Sequence, residues 1–195
     1  MRRAYLVPVM FIQTEKTPNP ETLKFLPGRP VLEAGTAEFR SYEEAMPSPL
    51  ARALFNMGSV VSVFYGRDFI SVTKSTDADW PLLKTGIMAA IMDHYLSGMP
   101  LMDRAAGAGA MPGGEDSEDD DEVTLQIKEL LDTRVRPAVA QDGGDITFVR
   151  FEGGTVFLRM QGACAGCPSS TMTLKNGVEN MLRHYVPEVQ AVEAV

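Results

Sequence analysis

The run Gly162-Ala-Cys-Ala-Gly-Cys-Pro-Ser-Ser170 holds the only two cysteines of the 195-residue chain, Cys164 and Cys167. A Cys-x-x-Cys pair just ahead of a helix start can bind a metal or a cluster, or cycle between dithiol and disulfide. Gly162 and Gly166 allow tight turns on either side of Cys164, so two sulfurs can point to one place. Pro168 suits the first position of a helix, where its missing N–H costs nothing. Cys167 is therefore expected at or near the N-cap. There the unpaired N–H groups of Ser169, Ser170 and Thr171 and the helix dipole would favour thiolate. Thiolate ligation suits zinc, copper(I) or an iron–sulfur cluster.

Two thiolates do not complete such a site. Zinc within one chain wants four ligands, and the remaining donors are poor. His94 and His184 fall near helix C-terminal ends, where a surface histidine suits the dipole, and Asp142 and Asp145 read as turn residues. Cluster sites of the [2Fe–2S] or [4Fe–4S] type need two further thiolates. A symmetric dimer supplies them, two from each chain, with the cluster on the two-fold axis. The competing enzymatic reading is a thiol–disulfide oxidoreductase. Against it, a β-hairpin rather than a βαβ unit precedes the pair, and no aromatic residue stands before Cys164.

The elements that must position the pair are legible around it. Val123, Ile127, Leu130, Leu131 and Val135 share one helical face, and Pro137 is expected to break or kink that helix. Asp142-Gly-Gly-Asp145 makes a turn. Ile146 to Phe151 and Thr155 to Met160 read as strands joined across Gly153-Gly154. The helix opened by Pro168 carries Leu174, Val178, Met181, Leu182 and Tyr185 as its stripe, and Val189 to Val195 could add a third strand. The order is α-β-β-α-β, with the Cys-x-x-Cys loop before the second helix.

An independent α+β pattern lies upstream. Strands are expected at Met10 to Glu15 and Leu23 to Leu26, separated by Thr17-Pro-Asn-Pro20. A short helix follows Ser48-Pro49 and stops at Gly58. Ser59 to Tyr65 and Phe69 to Thr73 read as a hairpin. Asp79 caps a helix with Pro81 in its first turn and a core-facing stripe of Leu83, Ile87, Ile91 and Tyr95, ended by Gly98. Trp80 is read as core. The chain is thus expected to fold as two small mixed domains of the α+β class, at residues 1–103 and 122–195. Residues 104–121 would form a flexible Gly-rich and acidic linker.

Net charge is −8, but residues 115–122 contain seven acidic side chains, which leaves the rest of the chain at −1. That balance excludes a general nucleic-acid binder. No apolar run reaches the ~18–20 residues of a membrane span. Met1 to Met10 reads as an extension ahead of the first strand rather than a targeting segment. Two cysteines without a secretory signal fit a reducing compartment.

The runs Arg136-Pro137, Gln141-Asp-Gly-Gly-Asp-Ile146, Gly162 to Glu179 and Met181-Leu182 resemble the cysteine domain of NifU-like (Nfu) iron–sulfur scaffold and carrier proteins. The upstream runs Gln13-Thr-Glu-Lys-Thr-Pro-Asn-Pro20, Leu23-Lys-Phe25 and Pro27-Gly28 are similar to the N-terminal domain of the two-domain members. The resemblance implies a non-enzymatic scaffold or carrier of a [4Fe–4S] cluster, with transient [2Fe–2S] also in range. Cys164 and Cys167 of two chains would be its ligands in a loaded homodimer. It further implies an upstream scaffold as donor and apo iron–sulfur proteins as acceptors, with the N-terminal domain docking targets. The setting would be the cytoplasm of a bacterium or the mitochondrial matrix of a eukaryote.

Overall fold

The computed structural model describes residues 11–103, 121–166 and 168–195, and of residues 168–170 the backbone only. The expected extension at residues 1–10 and nearly all of the expected linker lie outside these. Asp121, placed in that linker by the sequence, instead caps a helix: its carboxylate accepts the Thr124 N–H at 2.7 Å.

The N-terminal half is a five-stranded antiparallel sheet with two helices on one face. Its strands are β1 (Gln13–Lys16), β2 (Thr22–Leu26), β3 (Ala37–Phe39), β4 (Val60–Tyr65) and β5 (Ile70–Lys74), in the order β1-β2-β5-β4-β3. The expected hairpin is β4 and β5, paired from Val60↔Lys74 to Tyr65↔Ile70 with one bulge. Helix α1 (Pro49–Phe55) starts as the Ser48-Pro49 pair predicts, with the Ser48 hydroxyl accepting the Ala51 N–H at 3.2 Å. Helix α2 (Trp80–Ser97) ends at Gly98, whose φ of 68° is the left-handed cap that glycine favours. Asp79 sits at its N-cap but makes no side-chain capping bond.

Strand alternation sorts the residues of this sheet onto two faces. Leu23, Phe25, Phe39, Val63, Tyr65, Ile70 and Val72 pack with Leu50, Leu54, Ile87 and Ile91 as one core. Thr22, Lys24, Glu38, Phe64, Ser71 and Thr73 fall on the opposite face, which is covered as well: Lys24, Phe64 and Ser71 are all buried. His94 corrects the sequence reading. It is buried rather than a surface residue, and burial pushes its pKa below the ordinary 6.5.

The C-terminal half shows the expected α-β-β-α-β order. Helix α3 (Glu122–Leu130) runs through a widened π-helical turn, Leu131–Val135, into α4 (Arg136–Gln141). Pro137 therefore does not break the helix. The Arg136 N–H reaches back to the Leu131 carbonyl, and that wider turn makes room for the proline ring one residue later. Strands β6 (Gly144–Glu152) and β7 (Thr155–Gly162) form an antiparallel hairpin, with Gly153 and Gly154 at φ of 56° and 80° as a two-residue primed turn requires. Helix α5 (Pro168–Tyr185) crosses over to β8 (Ala191–Ala194), which adds to β7 in parallel. The core of this half gathers Ile127, Leu131, Val139, Ile146, Leu158, Val178 and Leu182, with Cys164 among them.

Candidate metal centre

The cysteine loop leaves β7 at Gly162 and enters α5 at Pro168. Two glycine turns bring it against the Asp142-Gly-Gly-Asp145 turn that precedes β6. Gly143 and Gly162 have φ of 83° and 63°, and the Ala163 N–H donates to the Gly143 carbonyl at 3.1 Å. The two loops touch so closely that side chains have no room. A Cβ on Gly144 would lie 2.6 Å from Cys164 Sγ and from the Gln161 carbonyl oxygen. On the other side, the Thr171 hydroxyl in the first turn of α5 donates to the Cys164 carbonyl at 3.0 Å.

Cys164 consequently lies in the core, 6% exposed. Burial, reinforced by the negative charges of Asp142 and Asp145, pushes its thiol up to about 12. These surroundings favour the protonated thiol over the thiolate. The thiolate expected from a helix start pertained to Cys167, which lies outside the described residues, as does its expected N-cap position.

Asp145 has a larger part than a turn residue. It is buried and paired with Arg136, Nε to Oδ1 at 2.9 Å and Nη2 to Oδ2 at 2.8 Å, while its Oδ1 also accepts the Ile146 N–H at 2.8 Å. Arg136 reaches Asp132 as well, at 3.0 Å, and these carboxylates hold its guanidinium charged. The pair ties the start of α4 to the turn beneath the cysteine loop. Only the inclusion of both residues in the quoted runs hinted at this, because a contact between a helix start and a distant turn leaves no periodicity.

Beside Cys164 a cavity of about 510 Å³ opens between α4, the cysteine loop and α5. Val135, Val139, Leu174, Val178 and Met181 make it apolar, and Pro18 of the N-terminal half reaches its edge. Among the described residues no three His, Cys, Asp or Glu side chains gather to hold a metal, so neither His94 nor His184 joins Cys164 in such a cluster. The donor set fits a soft metal or cluster only as a half-site, one buried thiol here and its Cys-x-x-Cys neighbour in sequence.

Two joined α+β halves, the second presenting one Cys-x-x-Cys pair between a hairpin and a helix, define the class. The sequence profile of the NifU-like domain matches residues 127–193, and that of the scaffold protein Nfu/NifU N terminal matches residues 12–98. The chain belongs to this NifU-like (Nfu) family. It is 55% identical over 188 residues to "NFU1 iron-sulfur cluster scaffold homolog, mitochondrial" of Homo sapiens, covering 95% of this chain and 72% of that one. It is also 55% identical over 186 residues to "NifU-like protein 4, mitochondrial" of Arabidopsis thaliana, covering 94% and 65%. The chain thus spans roughly two thirds of the length of these relatives. A solved NifU-like protein of Saccharomyces cerevisiae aligns over 49% of this chain and 86% of its own at 24% identity and a TM-score of 0.45. Both relatives are named mitochondrial, which agrees with the eukaryotic rather than the cytoplasmic option read from the sequence.

Proposed function

We propose that the protein is an iron–sulfur cluster scaffold and carrier. It would take up a [4Fe–4S] cluster between two chains, through Cys164 and Cys167 of each, and pass it to apo-proteins. The observation that carries this reading is the half-site itself: a single Cys-x-x-Cys pair in a glycine-built loop, with no further ligands gathered around it among the described residues. The names of the relatives support the scaffold role.

The cluster is cargo. Because it is shared between chains, its loss leaves each chain's hydrophobic core in place. With two ligands per chain, incoming thiolates can displace the cysteines one at a time. Loading takes the proton from Cys164, so the raised pKa favours the empty form as a stable thiol that resists oxidation between loads. The same feature weighs against the oxidoreductase alternative, which needs a ready thiolate.

In this reading residues 121–195 hold the cluster, residues 104–120 are the linker, and residues 1–103 dock partners without catalysing a reaction. The donor is an upstream scaffold, and the setting is the mitochondrial matrix, in line with the relatives. [2Fe–2S] would be held only transiently. Anaerobic reconstitution with iron counting tests the proposal. A bridged [4Fe–4S] gives about two irons per chain, a bridged [2Fe–2S] about one. Colourless zinc-loaded protein, or a monomer cycling a disulfide, would overturn it.

A further inference from the structure

The second face of the N-terminal sheet is not bare. An antiparallel sheet with helices on one side commonly leaves the other to water, yet here that face lies on the loops that hold Cys164. Ser71, 1% exposed, donates through its hydroxyl to the Gly143 carbonyl at 2.6 Å. Glu38 Oε1 accepts the Gly162 N–H at 2.9 Å. Lys24 Nζ donates to the Gln141 carbonyl at 3.1 Å, and Asn19 Nδ2 to the Ala165 carbonyl at 3.4 Å. Phe64, buried outside the N-terminal core, closes the seam: its ring would lie 2.9 Å from a Cβ on Gly162.

These contacts centre on the cysteine loop, the turn beneath it and the end of α4. Buried backbone groups must find partners: the Gly162 N–H finds its acceptor in Glu38, and the Gly143 carbonyl, which already accepts the Ala163 N–H, takes a second donor in Ser71. Buried Lys and Asn are rare unless partnered: Lys24 is shared between Glu15 and the Gln141 carbonyl at the end of α4, and Asn19 reaches the cysteine loop itself. The Thr17-Pro-Asn-Pro20 turn, for which the proposed function has no use, contributes both Asn19 and the Pro18 at the cavity beside Cys164. The seam is largely polar, the kind that separates and rejoins rather than the kind that fuses two bodies. A thiol that is 6% exposed in a loop pinned from both sides cannot reach a cluster shared with a second chain.

We propose that the outer face of the N-terminal sheet is an intramolecular cap on the cysteine loop, closing the empty chain through Asn19, Glu38 and Ser71 and lifting off for loading. The loading part rests on the proposed function; the cap itself does not. The cap makes the N-terminal half a gate on access to Cys164 in its own chain.

The test uses the full chain with Cys167→Ser, so that Cys164 is the sole thiol, with and without Glu38→Ala and Ser71→Ala. Alkylation of Cys164 by N-ethylmaleimide at pH 7 and amide exchange at Gly162 are followed by mass spectrometry and NMR. The cap predicts a protected Gly162 amide in the parent. In the double variant that protection is lost and alkylation runs at least tenfold faster, while the Val63 and Val72 amides of the sheet stay protected. A Gly162 amide that exchanges freely in the parent, or alkylation unchanged by the variants, would overturn it. Should the double variant fail to hold its sheet, the parent amide alone decides. In chains that keep both cysteines, the double variant should load iron several-fold faster to the same final content. If neither chain loads iron, the function reading fails while the alkylation result still judges the cap.

Discussion

Arg136 grips Asp145 through two parallel hydrogen bonds, at 2.9 and 2.8 Å, and so fastens the start of α4 to the turn on which the cysteine loop rests. The Asp145 side chain is 6% exposed and that of Arg136 25%, so the pair is mostly removed from water. Such a pair matters less for what it adds than for what its breakage leaves behind, a buried carboxylate without a counter-charge.

Arg136→Ala should therefore cost about 3 kcal/mol in urea unfolding. Asp145→Asn, which keeps the shape and removes the stranded charge, should restore part of that loss when combined with it. A cost for Arg136→Ala no larger than for an exposed arginine would show that the pair is incidental.

Gly144→Ala places a methyl group 2.6 Å from both Cys164 Sγ and the Gln161 carbonyl oxygen. The second atom is backbone and cannot swing away. The substitution should cost about 1–3 kcal/mol and push Cys164 out of register, lowering cluster loading. Gly153→Ala meets no neighbouring atom but must hold φ at 56°, so it should weaken the hairpin without touching loading.

The Cys164 thiol, pushed up to about 12, titrates far above an ordinary cysteine at 9.0. In a Cys167→Ser chain the alkylation rate of Cys164 should rise about tenfold per pH unit from pH 7 through 10, following the thiolate fraction. Levelling near pH 9 would mean that the loop is open in solution.

His94 is buried with no hydrogen-bond partner for Nδ1 among the described residues, and its pKa is lowered from 6.5 by burial. The unfolded chain thus binds this proton more readily than the folded one. The contribution is fully present above pH 6.5 and is lost as pH falls through the lower folded value. Urea unfolding at pH 7 and pH 5 should show an acid loss that His94→Leu removes. An equal loss in both proteins would assign it to other groups.

Much of this architecture was legible in the residues. Alternation around Gly153-Gly154 marked the β6–β7 hairpin, and the spacing of Ile87 and Ile91 marked the buried side of α2. Strand β3 was not legible, because its three residues, Ala37–Phe39, are too short to show a period. Pro137 misled because proline statistics describe a regular helix, whereas the π-helical turn before it relieves the clash. The Cys-x-x-Cys pair stood out by composition. The burial of Cys164 did not, for Gly144 and Gly162 draw two distant loops together and side chains of the N-terminal sheet close over them. The contacts of Glu38 and Ser71 with those loops were equally hidden, since they join positions more than seventy residues apart.

The central claim is that Cys164 and Cys167 of two chains share one cluster. Anaerobic reconstitution of the full chain, with iron and sulfide counted per chain and the mass measured under native conditions, tests it most directly. The account predicts a brown dimer with about two irons per chain, and a Cys164→Ser chain that folds with an unchanged sheet and core but stays a colourless monomer. A Cys164→Ser chain that keeps a full cluster, or a loaded wild-type monomer, would contradict it.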